Sequence, residues 1–350
     1  MGGPAKTSTR SSTNDSDVND TSSRNESTAP VTGRRGRRGV IDSYDLGLMD
    51  LLSLDGRAST KFLAEQVGLT DATVAARLRE LMDRDVVRVR AVIDWDRAGL
   101  KAPMAFFIRV HGRSVRGLAD ELLADPQVLS VANVFGSADL VVRVLLADPT
   151  EALTFADDTL GAIDGVETVM SLLDVDVVKH ANGFHTGATV SGDLPTFPSA
   201  SGDLDSVDVR LLGCLVEDAR QSLRQIGRIL DVSEHTVRAR LKRLEDSGLI
   251  KIHAQVDPNA TNGNQELAYV ALRAQNSQVQ RVIDDMVDRS EFWTVDRTVG
   301  EYNVLALAHA GSREQLADIV DELRSASGIE RSETWALSSL QLSAFPWGRF

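Results

Sequence analysis

The chain contains 350 residues, of which 42% are apolar, and it carries a formal net charge of −13 at pH 7. This length suits about two to four domains of ordinary size. The single cysteine, Cys214, excludes an intrachain disulfide framework and any metal site built from cysteines alone. No apolar run reaches the roughly 20 residues that a membrane-spanning helix needs, and the N-terminus has no apolar signal segment. The sequence therefore predicts a cytoplasmic protein with no membrane partner.

Residues 1–40 form a polar segment that is rich in Ser, Thr, Asn and Asp and poor in large apolar side chains. Such a segment buries too little surface to offset its loss of conformational entropy, so we predict a disordered tail. The tail ends in a basic run at residues 34–38. Two interpretations of this run stay open: a solvated charge cluster, or a flexible arm that adds nonspecific attraction to phosphates.

The remainder of the chain is a tandem duplication. The motif Asp55-Gly56-Arg57-Ala58-Ser59 is followed 163 residues later by Asp218-Ala219-Arg220-Gln221-Ser222. The segment 73–78 recurs at 236–241 with the same offset. A period of this length exceeds the roughly 20–50 residues of solenoid repeats, so it indicates two complete copies of a domain pair. Residues 181–203, which contain Gly, Ser, Thr and Pro, predict the linker between the copies.

Each copy begins with a helical part, residues 41–94 in the first and residues 204–257 in the second, where apolar residues recur at helical spacing. Three short helices with a tight connection between the last two predict a helix-turn-helix domain. The residues placed to cap the second and third helices are Ser59, Thr70, Ser222 and Ser233. A three-helix bundle with a structural or protein-binding role is the alternative.

The second part of each copy, residues 95–180 and residues 258–345, shows strand and helix patterns in the order β-α-β-β-α-β. This order is that of the ferredoxin-like fold, in which helices cover one face of an antiparallel sheet. We expect the open face to be apolar, with Phe107, Val141 and Val175, and such a face needs a partner. The predicted fold class is α+β, with two winged or trihelical helix-turn-helix domains alternating with two ferredoxin-like (βαββαβ) regulatory domains.

Both copies contain an Asp-x-Arg-x-Ser motif, a third helix that reads Thr-Val-x-x-Arg-Leu-x-x-Leu, a short strand and the βαββαβ pattern. The matching residues are Asp55, Arg57, Ser59, Thr73, Val74, Arg77, Leu78 and Leu81 in the first copy and Asp218, Arg220, Ser222, Thr236, Val237, Arg240, Leu241 and Leu244 in the second. With these motifs, each copy resembles the Lrp/AsnC family of prokaryotic transcription regulators. The resemblance implies a sequence-specific regulator that binds double-stranded DNA. The fusion of two units departs from the family's common single-unit architecture.

In a helix-turn-helix domain, the third helix reaches base edges with its N-terminal turn, while basic side chains contact phosphates. The predicted DNA-binding residues are Arg57, Thr70, Asp71, Thr73, Arg77 and Arg79 in the first copy and Arg220, Ser233, His235, Thr236, Arg238, Arg240, Lys242 and Arg243 in the second. Residues 42–90 hold seven basic and nine acidic residues, whereas residues 206–251 hold nine basic and seven acidic residues. We therefore expect the second domain to contribute more of the electrostatic affinity.

The resemblance also implies a small-molecule effector, often an amino acid, bound between regulatory domains beside a Gly-x-x-Asp turn. The corresponding turns are residues 136–139, Gly-Ser-Ala-Asp, and residues 300–303, Gly-Glu-Tyr-Asn. Glycine lets a backbone approach a ligand closely, and a carboxylate can accept from an ammonium group. The predicted effector-binding residues are Gly136, Asp139, Ser171, Gly300, Glu301, Asn303 and Thr334. The alternative is a pair of ordinary hairpin turns, where Gly, Asp and Asn are favoured in any case.

We predict no catalytic residues, no cofactor and no metal site, because the six histidines are scattered along the chain. Two hypotheses compete with the regulator: an enzyme similar to the sirohaem decarboxylases, and a metabolite sensor that has lost DNA binding. Sirohaem decarboxylases share this fold and are expected to carry a segment rich in histidine and arginine, yet residues 88–94 contain no histidine. We further expect the fused copies to pair their regulatory sheets as an intrachain pseudo-dimer and to assemble into higher homo-oligomers.

Overall fold

The computed structural model describes Gly2 and residues 41–181, 183, 197, 204–257 and 265–349. Apart from these, the predicted tail at residues 1–40 and the predicted linker at residues 181–203 lie outside the described residues. Within the described part of the chain, no helix combines the length and the apolar character needed to cross a membrane.

The described elements follow the predicted order in both copies. The first copy contains α1 (Ser43–Leu54), α2 (Thr60–Val67), α3 (Asp71–Asp83), β1 (Val87–Asp94), α4 (Trp95–Ala98), β2 (Ala102–Val110), α5 (Val115–Leu123), β3 (Val128–Phe135), β4 (Leu140–Leu146), α6 (Glu151–Thr154, continued by a π-helix over Phe155–Leu160) and β5 (Val166–His180). The second contains α7 (Ser206–Glu217), α8 (Leu223–Leu230), α9 (Glu234–Asp246), β6 (Ile250–Val256), β7 (Glu266–Ala274), α10 (Val279–Val287), β8 (Phe292–Val299), β9 (Val304–Ala310), α11 (Arg313–Ser325), β10 (Ile329–Leu342) and β11 (Trp347–Gly348). The predicted α+β class is confirmed.

Side-chain capping fixes where the second and third helices of each helix-turn-helix domain begin. The four predicted caps each accept a hydrogen bond from the backbone N–H three residues later, and they are Ser59, Thr70, Ser222 and Ser233. Each bond satisfies one of the amide groups that a helix leaves unpaired at its N-terminus. The short turns between these helices therefore have a defined geometry, which sets the direction of α3 and α9.

An antiparallel strand pair, β1 with β6, joins the two helix-turn-helix domains; we call it the central ribbon. Val87 lies opposite Val256, and Arg90 lies opposite His253. Positions 90 and 253 are separated by the repeat offset of 163, so at the centre of the ribbon two equivalent residues face each other. A pseudo-twofold axis therefore passes between Arg90 and His253 and relates the first copy to the second.

The two regulatory sheets close into one eight-stranded barrel with the strand order β10-β3-β4-β2-β5-β8-β9-β7. Two antiparallel strand pairs join the copies, β3 with β10 and β5 with β8. Closure removes the unpaired edges that an open sheet exposes. The regulatory sheets thus pair within one chain, as expected for an intrachain pseudo-dimer.

The barrel interior is built from the sheet faces that were predicted to be open and apolar. Phe107 and Val141 lie there, fully buried with Trp335 and Tyr302 of the second copy. The prediction for Val175 was wrong, because this side chain is 53% exposed. The inward-facing positions of β5 are Leu172 and Asp174, which are buried, so the alternation of the strand places Val175 on the opposite face.

A buried ion triad connects the copies inside the barrel. The Arg143 guanidinium contacts Asp174 of its own copy at 2.7 Å and Asp296 of the second copy at 3.0 Å. Burial acts to lower the pKa of Arg143, but the two carboxylates raise it above its usual value. Burial raises the pKa of both Asp174 and Asp296, and the Arg143 charge opposes this. The triad is thus a buried charge contact between the copies, and removal of one partner would leave an uncompensated buried charge.

Candidate nucleic-acid interface and regulatory turns

The third helix of the first copy buries Val74, Leu78 and Leu81 and turns a largely small and acidic surface outward. Of the predicted DNA-binding residues, Thr70, Asp71, Thr73 and Arg79 are exposed on this helix or at its N-terminus. Thr70 also serves as the helix cap, with its hydroxyl 2.8 Å from that of Thr73. Arg79 has no ion-pair partner among the described residues, so it is the free cation of this surface.

The equivalent helix of the second copy presents more cations. Ser233, His235, Arg238, Lys242 and Arg243 are exposed, and Thr236 is half-buried. Most of these cations have an acidic neighbour: Arg238 pairs with Glu234 at 2.8 Å, and Lys242 pairs with Asp246 at 2.8 Å. Pairs four residues apart on an exposed helix contribute little to stability, because water screens them. Phosphates can therefore displace these partners at little cost.

Arg77 and Arg240 hold the third helix of each domain against the first. Arg77 contacts Asp45 at 2.8 Å and Asp42 at 2.9 Å, and Arg240 makes the same pair of contacts to the carboxylates 163 residues later. Arg243 also contacts one of those carboxylates, that of Asp208. These arginines were predicted to bind DNA, but their guanidinium groups stabilise the trihelical fold, because they bridge the N-terminus of the first helix to the third.

The two motif arginines, Arg57 and Arg220, contact the opposite helix-turn-helix domain, and we call this pair the reciprocal clamp. Arg57 donates to the backbone carbonyls of Ala219 and, at 3.2 Å, Gln221. Arg220 donates to the carbonyl of Gly56 at 2.8 Å and to that of residue 58 at 3.2 Å. Burial lowers the pKa of both arginines. The DNA-binding role predicted for them is therefore not the role of their contacts in the free protein.

Two cations that the sequence interpretation missed lie on α8, the second helix of the second domain. Arg224 and Arg228 are exposed, and neither has an ion-pair partner among the described residues. The first copy has Lys61 and Glu65 at the corresponding positions. Their spacing of four residues, which places them on one helix face, was the available signal.

The predicted effector residues come together crosswise, each turn against a strand of the other copy. Gly136 has φ +144°, and a Cβ there would lie 3.0 Å from Trp335 and 3.6 Å from the carbonyl of Thr334. Gly300 has φ +148°, and a Cβ there would lie 3.0 Å from the carbonyl of Ser171. Both turns therefore need glycine, since neither the backbone angle nor the space accepts a side chain.

The last residue of each turn bonds to its own sheet. Asp139 accepts from the backbone N–H of Val110 at 2.8 Å. Asn303 accepts from the N–H of Ala274 at 2.9 Å and donates to the carbonyl of the same residue at 2.7 Å. A carboxylate and an amide thus fill the same structural role, which agrees with the hairpin-turn alternative.

Polar contacts across the copies surround the first turn. The Glu333 carboxylate accepts from Ser137 and, at 2.7 Å, from the hydroxyl of Tyr302, and Trp335 donates to Ser137 at 3.0 Å. Burial, and then the bond to Glu333, raises the pKa of Tyr302. Glu301, another predicted effector residue, accepts from Arg331. The turns are therefore part of a network between copies that a ligand has to enter or rearrange.

Comparison with known protein families agrees with the helix-turn-helix and regulatory domains described above. The profile of the AsnC-type helix-turn-helix domain matches residues 41–82 and 204–245, and the profile of the Lrp/AsnC ligand-binding domain matches residues 105–183. The HTH-type transcriptional regulator FL11 of Pyrococcus furiosus is 31% identical over 134 residues, which cover 38% of this chain and 88% of that protein. The chain belongs to the Lrp/AsnC family of DNA-binding transcription regulators.

Two further comparisons show how much of the chain is similar to known proteins. The HTH-type transcriptional regulator Ptr1 of Methanocaldococcus jannaschii is 34% identical to this member of the Lrp/AsnC family, and the match covers 34% of this chain and 80% of that protein. The fold is also similar to the crystal structure of the siroheme decarboxylase NirDL. The superposition covers 87% of this chain and 94% of the NirDL chain, with a TM-score of 0.60 and 12% sequence identity. That likeness shows a common fold for the fused arrangement and nothing about chemistry.

Replacing either arginine of the reciprocal clamp by alanine is expected to destabilise the protein. Arg57→Ala and Arg220→Ala each remove charge-assisted bonds to partly buried carbonyls, which is worth about 1–3 kcal/mol in the free energy of unfolding. Arg79→Ala is the matched control, and we expect it to change this quantity by less than about 0.5 kcal/mol. Denaturant titration of the full chain measures all three. Unchanged stability with weaker DNA binding would show that both clamp arginines contact phosphates after all.

Proposed function

We propose that the two helix-turn-helix domains bind the two half-sites of one pseudo-palindromic operator. The observation that carries this proposal is the pseudo-twofold axis of the central ribbon, because it relates α3 to α9 as the recognition helices of a symmetric dimer are related. Such dimers bind half-sites whose inverted arrangement mirrors the protein symmetry. The two half-sites need not be identical, since the exposed residues of α3 and α9 differ.

Genome-wide mapping of the DNA bound by the full chain tests this arrangement. Enriched sites are expected to share an imperfect inverted repeat. An absence of any enriched site would contradict DNA binding and favour the metabolite sensor, and enriched sites with a single half-site would contradict the use of both domains.

We propose that the second helix-turn-helix domain supplies the larger electrostatic part of the affinity. Support comes from the exposed cations of α8 and α9, above all Arg224, Arg228 and Arg238, against a first domain whose corresponding residues are Lys61, Glu65 and Ala75. Each phosphate contact releases condensed counterions, so the domain with more contacts dominates the salt dependence.

Exchanging residues at one equivalent position tests this division between the domains. Arg238→Ala gives the second domain the residue of the first, and Ala75→Arg does the reverse. On a DNA fragment recovered by mapping, we expect Arg238→Ala to weaken binding and to lower the slope of log affinity against log salt by about 1. Ala75→Arg is expected to increase both quantities. Equal slopes for all three proteins would show that this position lies away from the phosphates.

We propose that a small amino-acid-like effector modulates the regulator at the two turns. The supporting observations are the backbone approach allowed by Gly136 and Gly300, and the crosswise contacts with Ser171, Thr334 and Glu333 of the opposite strands. A ligand that enters this network changes contacts between the copies. Asp139 is the residue of the first turn that is expected to accept from the ligand ammonium group.

Asp139→Asn separates the predicted ligand contact from the structural role of this residue. Asn303 shows that an amide makes the same bond to the backbone, so we expect the thermal stability to stay unchanged. Binding of whichever common amino acid the full chain takes up, measured by calorimetry, is expected to weaken about tenfold or more because a charge-assisted bond is lost. Asn303→Asp is the reciprocal control. Unaltered binding in Asp139→Asn would remove the carboxylate from the effector site.

We further propose that the chain acts in the cytoplasm, is not an enzyme, and assembles into homo-oligomers through the ends of the barrel. Support for the first two statements is the regulator names of its relatives. Support for assembly comes from Phe135 and Val299, equivalent residues beside the two turns, which are 68% and 59% exposed. Exposed apolar side chains at equivalent places suit a symmetric contact between chains.

A further inference from the structure

The buried ion triad contains two carboxylates and one cation. Arg143 contacts Asp174 at 2.7 Å and Asp296 at 3.0 Å, and the side chains of both aspartates are fully buried. The place equivalent to Arg143 in the second copy holds Leu307, since each is the fourth residue of its strand, β4 or β9. With both carboxylates ionised, the triad would therefore keep one uncompensated negative charge inside the barrel.

The neighbours of the triad add no positive charge to it. The described groups that act on it electrostatically from the surrounding strands are Tyr269 of β7 and Asp176 and His180 of β5. Tyr269 is neutral, because burial raises the pKa of its hydroxyl. His180 is neutral as well, because burial lowers its pKa to about 3. Asp176 is acidic and raises the pKa of Asp296, so it adds to the excess of negative charge.

Each carboxylate of the triad also keeps one buried oxygen without a donor. Oδ1 of Asp174 and Oδ1 of Asp296 have no hydrogen-bond partner in the part of the chain that the structure describes. A carboxylate in this state is costly to bury, whereas a protonated carboxyl carries no charge. When two carboxylates share one site, the first negative charge opposes the ionisation of the second. The geometry therefore favours one proton on the pair.

The triad lies at the least regular of the three strand pairs that join the copies. Asp174 belongs to β5 and Asp296 to β8, and the register of this pair shifts between residues 174 and 176 and again between residues 177 and 179. The pairing of β3 with β10 shifts once, and the register given for the central ribbon is continuous. Each shift interrupts the ladder of backbone hydrogen bonds. A buried charge at this place therefore acts on the junction whose ladder is most interrupted.

We propose that Asp174 and Asp296 share one buried proton at neutral pH, and that its release to solvent weakens the junction between β5 and β8. With the proton bound, one carboxylate faces one guanidinium, and the triad is neutral in sum. Without it, two carboxylates face Arg143, and a net negative charge lies between the copies. The barrel thus contains a pH-sensitive contact between the copies. This contact depends neither on DNA binding nor on an effector at the turns.

Folding stability is expected to fall as the pH rises towards 8. Burial raises the pKa of Asp174 to about 8, whereas an aspartate of an unfolded chain has a pKa of about 3.9. The native state therefore holds the proton more tightly, and the stabilisation, complete below about pH 3.9, is lost as the pH rises through about 8. Above about pH 6.5 histidines of the unfolded chain are neutral too. The range from about pH 6.5 to about pH 8 is therefore the one to measure.

Denaturant titrations of the full chain at several pH values in this range test the proposal. One proton held by the native state alone raises the unfolding equilibrium constant by up to about tenfold per pH unit. Asp174→Asn and Asp296→Asn each leave one carboxylate against Arg143, so each variant should lose most of this pH dependence. Asp176→Asn is the matched control, because it removes an exposed carboxylate from the same strand, and it should keep the dependence.

Infrared spectroscopy detects the proton directly and does not require the variants to be stable. Exposed carboxylates are ionised at about pH 7, so a C=O stretching band of a protonated carboxyl in the native full chain reports a buried one. We expect this band at about pH 7, its loss by about pH 9, and its absence from Asp174→Asn and Asp296→Asn. Absence of the band from the unaltered protein, its persistence in either variant, or an unchanged pH dependence of stability in either variant would overturn the proposal.

Discussion

Antiparallel pairing between the two copies is the constraint on which the rest of the molecule depends. It occurs three times, at β1 with β6, at β3 with β10 and at β5 with β8. An isolated regulatory sheet would expose two strand edges and a face containing Phe107 and Val141, both of which invite association with other chains. Pairing removes these edges and this face together. The central ribbon is one of the three pairs, so pairing between the copies also fixes the relative orientation of the helix-turn-helix domains.

Covalent fusion permits the two copies to diverge where a homodimer could not. Arg90 faces His253 across the axis, Arg143 occupies the place of Leu307, and the Asp-to-Asn exchange distinguishes the two turns. In a homodimer each such residue would appear twice around the axis. Here one arginine, Arg143, contacts one carboxylate from each copy, Asp174 and Asp296. In a homodimer two arginines would have to share these two carboxylates. The fusion therefore does more than keep two subunits at high local concentration.

Much of the fold could be predicted from the sequence, because it depends on local periodicity and capping. Ser59, Thr70 and their counterparts cap the helices as predicted. A cap is a local feature, since a hydroxyl directly before a helix accepts from an unpaired backbone N–H of the first turn. Val175 was placed on the wrong face, because an apolar side chain alone does not show which face of a strand turns inward; the buried Leu172 and Asp174 show that it is the other face of β5. The motif spacing also gave no sign that Arg57 reaches the other copy, a contact between residues more than 160 positions apart. From their place in the motif, both arginines were predicted to bind DNA, and nothing in the sequence indicated the contact with the other domain.

The candidate sites depend on two different classes of contact. Exposed cations such as Arg238 pair with helix neighbours through weak bonds, so phosphates can take them over with little loss. Buried cations such as Arg90 and Arg143 lie in the body of the pseudo-dimer, where each charge needs a local partner. The central ribbon connects the two classes, since β1 follows α3 and β6 follows α9 after short turns. The pairing of β1 with β6 therefore joins the two recognition helices through one continuous element on the pseudo-twofold axis.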